Sequence, residues 1–167
     1  QVAKANADAV TGENVAQAMG EMLEGAGELA AAQAYFEQAL KLDPKSLRAS
    51  LALARIYSRL GRPDAALKVY VTAEKENRKS AAVQNDKGLL LAEQKDWKPA
   101  IASLRQAIKL EPSNFKYHNN LGMVLAFSGA YDEAYQEFRE AIGPGPAHYN
   151  LALMLDKSGR SLEARDH

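Results

Sequence analysis

The sequence predicts an all-α fold, an α–α superhelix of antiparallel helix pairs, and three observations predict it. First, small residues recur at one spacing: Gly20, Ala54, Gly88 and Gly122 stand 34 residues apart, and Ala152 follows 30 residues later. Two further series, Ala32, Ala66, Ala100, Ala134, Ala164 and Ala39, Ala73, Ala107, Ala141, keep the same phase. A fixed period of this size marks stacked supersecondary units. Second, apolar residues within each unit fall on one face at about 100° per residue, the period of an amphipathic helix. Third, Gly27, Gly61, Lys95-Asp96, Gly129 and Gly159 divide each unit into two helical stretches. Glycine there accepts the left-handed backbone that ends one helix and turns the chain into the next.

The elements follow in order. Residues 1–12 stand outside the register and are expected to form an N-terminal helical segment ending near Val10, with Thr11 capping the next helix. The first unit, 13–46, carries Gly20, Ala32 and Ala39, sets Phe36 between the last two, and closes on Pro44. The second, 47–80, places Ser50, Leu53, Ala54 and Tyr57 on one face of its first helix, with Tyr70 in its second, and has Arg78 where the closing proline is expected. The third, 81–114, has Lys87 where its neighbours carry leucine. Either that helix is looser, or the Lys87 stem lies along the core with its amine outward. Leu104 and Pro112 complete the unit.

The fourth unit, 115–144, sets His118, Leu121, Gly122 and Leu125 on one face and Phe138 in its second helix. It lacks four residues around Gly143-Pro144-Gly145-Pro146, so its second helix is shortened and the following unit is expected to tilt; Pro146 falls where a closing proline belongs. The fifth, 145–167, is partial and stops soon after its second helix begins. One helix pair cannot bury its apolar face alone, so stacked neighbours supply the core and 1–167 reads as one solenoid domain.

Composition narrows the function. The 21 basic residues balance 21 acidic ones, so no global field draws the chain to nucleic acid or an anionic membrane. The absence of cysteine removes disulfides, thiolate metal sites and cysteine nucleophiles, and leaves the compartment open. No apolar run approaches the roughly 20 residues that span a bilayer, so membrane insertion by this segment is not expected. A start at Gln1 rather than Met points to a fragment or processed form.

From Glu13 to Arg165 the pattern resembles the tetratricopeptide repeat family: small residues at positions 8, 20 and 27 of each unit, large ones at 7, 11 and 24, and proline at 32. The resemblance implies a scaffold that binds a peptide segment of a partner protein along its first helices, whose outward face is positions 2, 6, 9 and 13. The candidate groove residues are Arg48, Arg55 and Arg59 in the second unit, Asn85 and Leu89 in the third, Lys116, Asn119, Asn120, Met123 and Phe127 in the fourth, and Asn150 and Leu153 in the fifth. Leu89, Met123, Phe127 and Leu153 are large apolar residues on a face expected to be wet, which marks a binding surface; superhelical stacking that turns them inward is the alternative. Asparagines stacked at position 6, as in His118-Asn119-Asn120-Leu121-Gly122, look like the amide columns of some members, which pair with an extended backbone. The arginines either pair with Asp86 and Glu93 of the next unit or grip ligand carboxylates. The lysine–arginine–asparagine clamp of the chaperone-tail subgroup is not matched by Asn14, Gln17, Ala18 and Glu21.

No catalytic motif emerges, and the chain is expected not to be an enzyme. His118 and His148 share a packing position, and neither has a carboxylate at metal-ligating helical spacing, so no metal and no cofactor is expected. The partner expected is a protein or peptide, with no nucleic acid. The alternative is an assembly role. The incomplete fifth unit, with Met154 and Leu162, would stack on another copy to give a homo-oligomer through the C-terminal end. Similar repeats occur in bacterial envelope, pilus and secretion assembly factors.

Overall fold

The computed structural model describes residues 2–157 and Gly159, and among them are nine α-helices and no strand. They are α1 (Val2–Gly25), α2 (Leu29–Leu42), α3 (Leu47–Arg59), α4 (Pro63–Glu76), α5 (Ala81–Glu93), α6 (Trp97–Leu110), α7 (Phe115–Ser128), α8 (Tyr131–Ile142) and α9 (Pro144–Lys157). The all-α expectation holds. The chain divides into one unit up to Arg78, with α1–α4, and another from Lys79, with α5–α9. In each, consecutive helices pack as hairpins: α1 on α2, α3 on α4, α5 on α6, and α7 on α8, with α9 following. Leu162, Ala164, His167 and the second helix expected of the fifth unit lie outside the described residues.

In the first unit the small-residue series packs as its spacing implies. Ala32, Phe36 and Ala39 line one face of α2 and are fully buried. Gly20 of α1 lies flat against the Phe36 ring, and a Cβ there would stand 2.9 Å from it. Ala16, Ala49, Ala52, Leu53 and Ile56 complete this core. The helices start where the chemistry allows: Ser46 accepts the Ala49 N–H at the head of α3, and Pro63 opens α4, where its missing N–H has no intrahelical partner to lose. Tyr57 closes the hairpin end. Its hydroxyl donates to Glu37 Oε1 at 2.7 Å, and Arg62 stacks on its ring at 4.9 Å. That hydrogen bond holds the Glu37 carboxyl below the usual carboxylate range, and burial, then Glu37, raises the Tyr57 hydroxyl.

One local expectation fails here. No break occurs near Val10: α1 runs unbroken from Val2 to Gly25, and Thr11 lies inside it rather than capping a second helix. The physical reason is composition. Ala3, Ala5, Ala7 and Ala9 are the strongest helix formers, and the lone Gly12 opposes them by only about 1 kcal/mol.

The second unit repeats the packing. Gly88 of α5 meets Leu104 and the Ala100 carbonyl of α6, and Gly122 of α7 meets Phe138 and the Ala134 carbonyl of α8. Leu104 and Phe138 are fully buried. Ser80 accepts the Val83 N–H at the head of α5. The helix is regular through Lys87, which is half-buried. Lys95 occupies the turn place that glycine holds elsewhere and takes φ 61°, a left-handed conformation unfavourable by about 1 kcal/mol for a side-chain-bearing residue. α8 has 12 residues, Gly143 turns at φ +85°, and α9 begins at once. Pro146 therefore sits in the first turn of α9 instead of closing a repeat. A proline is tolerated there because the first helical N–H groups have no intrahelical acceptor, as with Pro99 in the first turn of α6.

Candidate functional site

In the second unit the first helices of the hairpins lie side by side, α5 on α7 and α7 on α9. Their shared surface gathers the candidate residues of the third to fifth repeats. Phe127 is 53% exposed and Leu153 38%. Met123 precedes Phe127 by one helical turn, and it and Leu89 are half-buried. Lys116 is exposed at the head of α7, where Asn114 accepts its N–H. Asn119 and Asn150 are half-buried on α7 and α9.

The amides form a directed chain. Asn120 Nδ2 donates to Asn85 Oδ1 at 2.8 Å, and Asn85 Nδ2 donates to Asp86 Oδ1 at 2.8 Å. Asn85 is buried beneath this surface, so within the unit it positions Asn120 from below. The helical-wheel expectation that position 6 is wet needs correction at Ala52, which is 4% exposed. In each unit a first helix packs against its own partner and against the next first helix, which widens its buried stripe.

Tyr149 is absent from the candidates that the sequence supplies. It is 70% exposed on α9, one turn before Leu153, and so belongs to the same apolar surface. The available signal is an aromatic at the position Asn119 holds in the preceding repeat.

His118 and His148 pack between helices. His118 Nδ1 lies 2.7 Å from Glu137 Oε2 and its Nε2 3.0 Å from the Pro112 carbonyl, tying α7 to α8 and to the preceding loop. His148 of α9 packs at a tilt of 42° against Tyr135 of α8, with centroids 4.5 Å apart. Among the described residues no group of three or more His, Cys, Asp or Glu side chains is placed to hold a metal ion.

In the first unit the three candidate arginines of α3 face acids of α1. Arg55 forks onto Glu24, Nε to Oε1 and Nη2 to Oε2, each at 2.7 Å. Arg59 Nη1 adds a bond to Glu24 Oε1 at 3.2 Å, and Arg48 Nη2 donates to Glu21 Oε2 at 2.7 Å. A ligand carboxylate on this face would therefore meet guanidiniums already held by α1.

The Arg55 hydrogen bonds, opposed by partial burial and reinforced by both guanidinium charges, lower the Glu24 carboxyl. A carboxyl lowered in the folded state stabilises the fold above its unfolded range of about 4.3, and that gain disappears as pH falls through the folded value. Glu24→Gln is accordingly expected to lose about 1 kcal/mol at pH 7 and less at pH 3, relative to wild type. Urea titrations at the two pH values check this; an equal loss at both would show that the charge is immaterial.

Two family models, both described as tetratricopeptide repeat, match the chain, one over residues 23–89 and the other over 85–148. Comparison with the curated proteins returns no match. Among solved structures, the chain is similar to PilF of Pseudomonas aeruginosa, with 24% identity over 95% of this chain and 74% of that one and a TM-score of 0.77. It is similar to MamA of Desulfovibrio magneticus RS-1, with 16% identity over 93% and 90% of the two chains and a TM-score of 0.76. It is also similar to YrrB, reported as a protein of this repeat class with an unusual peptide-binding site, with 23% identity over 90% and 81% and a TM-score of 0.68. At these identities the likenesses show the fold.

Proposed function

We propose that this chain, which belongs to the tetratricopeptide repeat family and is an interaction scaffold, holds a peptide segment of a partner protein on the α5–α7–α9 surface. The observation that carries the reading is one surface combining exposed Phe127, Tyr149 and Leu153 with the Asn120 amide held from below by Asn85. Exposed aromatic and aliphatic side chains beside a fixed polar group are what a peptide site needs: apolar anchors for affinity and an amide for backbone register. One Asn120 N–H is engaged by Asn85, which leaves its carbonyl oxygen and second N–H for a ligand backbone. Asn150 is one helix further along, Lys116 supplies a cation at the near end, and Asn119, Met123 and Leu89 fill the floor. The reading needs no cofactor and no catalytic group.

Selection of a displayed random-peptide library on the chain, followed by titration of the recovered peptides, tests it. Phe127→Ala, and Asn120→Ala combined with Asn150→Ala, should each weaken binding about tenfold. If the double alanine variant leaves every affinity unchanged, the backbone-pairing role is wrong; if Phe127→Ala also has no effect, the peptide lies elsewhere.

Self-association is the second reading. Val15 and Met22, two turns apart on α1, are both exposed and give the first helix an apolar edge for a second copy. Leu162, on which stacking through the C-terminal end also rests, lies outside the described residues. Light scattering at high concentration decides it, since a strict monomer removes the idea.

A further inference from the structure

Val15 and Met22 stand at positions 3 and 10 of the first repeat and are 57% and 60% exposed. The same positions hold Ala49 and Ile56 in α3 and Tyr117 and Val124 in α7, and all four are buried. In both cases the second helix of the preceding repeat lies over this face: α2 packs on α3, and α6 on α7. Ala39 of α2 shares a core with Ala49 and Ile56, and Leu40 packs against it. Ala107 of α6 shares one with Tyr117, and Ile108 and Leu110 pack against it. The two covering segments are nearly one sequence, Gln38-Ala39-Leu40-Lys41-Leu42 and Gln106-Ala107-Ile108-Lys109-Leu110, with both lysines exposed. α1 keeps the receiving face, with exposed Ala18 between Val15 and Met22, but the chain ahead of it runs differently. Residues 37–46, ahead of the second repeat, are the end of α2 and the loop that lays it over α3. Residues 3–12, ahead of the first repeat, continue α1 itself.

We propose that the Val15–Met22 face of α1 docks an amphipathic helix of a partner polypeptide, seated there as α2 is seated on α3. The covering segments define its chemistry: an alanine followed by a branched aliphatic, a leucine two residues further on, and a lysine between them turned to solvent. The small residue lets the backbones approach, and the aliphatic pair fills the space beside Val15 and Met22, which lie two turns apart on one face. A folded second copy does not supply this helix from its own two segments of the kind, because Ala39 and Ala107 are fully buried within their own repeats. The mode is helix against helix, distinct from a peptide backbone paired to Asn120 on the α5–α7–α9 surface. A lone helix of this length is marginal in water, so the partner segment gains helix as it docks.

Fluorescence anisotropy on the whole chain tests the proposal, with a labelled, acetylated and amidated peptide of the sequence of residues 97–113 as the probe. The control is the same peptide with Ala107→Glu and Ile108→Glu, which spoils the covering face. The probe should bind saturably, and the control at least about tenfold more weakly. Val15→Glu combined with Met22→Glu in the chain should weaken the probe by more than about tenfold. Both side chains are exposed, so thermal melts of the double variant should match wild type. No saturable binding, equal binding of the control, or an unaffected double variant overturns the proposal. Light scattering without peptide covers the other occupant: a dimer that Met22→Glu turns into a monomer would give the face to a second copy and overturn it too. Phe127→Ala should leave probe binding unchanged. Should it abolish binding while the double variant does not, the helix sits on the α5–α7–α9 surface, and this proposal falls while the peptide-site reading stands.

Discussion

Phe138→Ala should destabilise the second unit by about 3–5 kcal/mol, the largest single loss expected from one side chain there. Phe138 is fully buried on α8, one turn from fully buried Ala134, and its ring lies across the backbone of α7 at Gly122. Truncation removes the whole ring from a packed layer, and two α-helices held at that spacing close only partly over the cavity. Phe138→Leu should lose only about 1–2 kcal/mol, because α6 already carries Leu104, fully buried, at the equivalent place against Gly88. Phe127→Ala is the control: its ring is 53% exposed, and its loss should stay within about 0.5 kcal/mol. The measurement is urea unfolding followed by fluorescence of Trp97, the single tryptophan, at the start of α6 in the same unit. A Phe138→Ala midpoint indistinguishable from that of Phe127→Ala would mean that the ring is not part of the core.

The repeat is legible in the sequence because close packing restricts residue type. Where two helix backbones touch, only Gly or Ala fits, and where they diverge a Phe, Tyr or Leu must fill the gap, so geometry writes itself into the sequence at every turn of the period. Partners are less legible than positions. The spacing points Arg55 and Arg59 to acids in the next repeat and gives no sign of Glu24 in the preceding one, on which both have a bond; charges on a period of this kind have neighbours on both sides, and residue type alone does not choose between them. Pro146 is ambiguous for a different reason: proline both stops a helix and opens one, and the two uses differ only in the side of the ring on which the helix lies. Asn85 and Asn120 are both identifiable from the repeat, but not their roles. At positions 5 and 6 a rotation of one residue, about 100°, separates the buried support Asn85 from the half-buried Asn120.

Gly122→Ala puts the packing rule to a sharper test, because the usual effect of that substitution has the opposite sign. In a free helix interior, replacing Gly with Ala gains about 1 kcal/mol. Here the new Cβ would stand 2.7 Å from Phe138 Cδ1, 2.8 Å from Cε1 and 3.2 Å from the Ala134 carbonyl oxygen. The ring is fully buried and the carbonyl belongs to the α8 backbone, so relief requires α7 and α8 to move apart. Overpacking of this kind is unfavourable by about 1–3 kcal/mol, enough to cancel the helical gain and leave a net loss of about 1–2 kcal/mol. Gly145→Ala, in the first turn of α9 with nothing within 4 Å of its Cβ, should instead be neutral or slightly stabilising. Combining Gly122→Ala with Phe138→Leu should lose less than the sum of the two, by about 1 kcal/mol, since removing the ring atoms frees space for the methyl group. Relief should be partial, because the Ala134 carbonyl remains. The same Trp97 unfolding curves give all four values. A stabilised Gly122→Ala, or strict additivity in the double variant, would show that α7 and α8 are not held together by the contact the glycine permits.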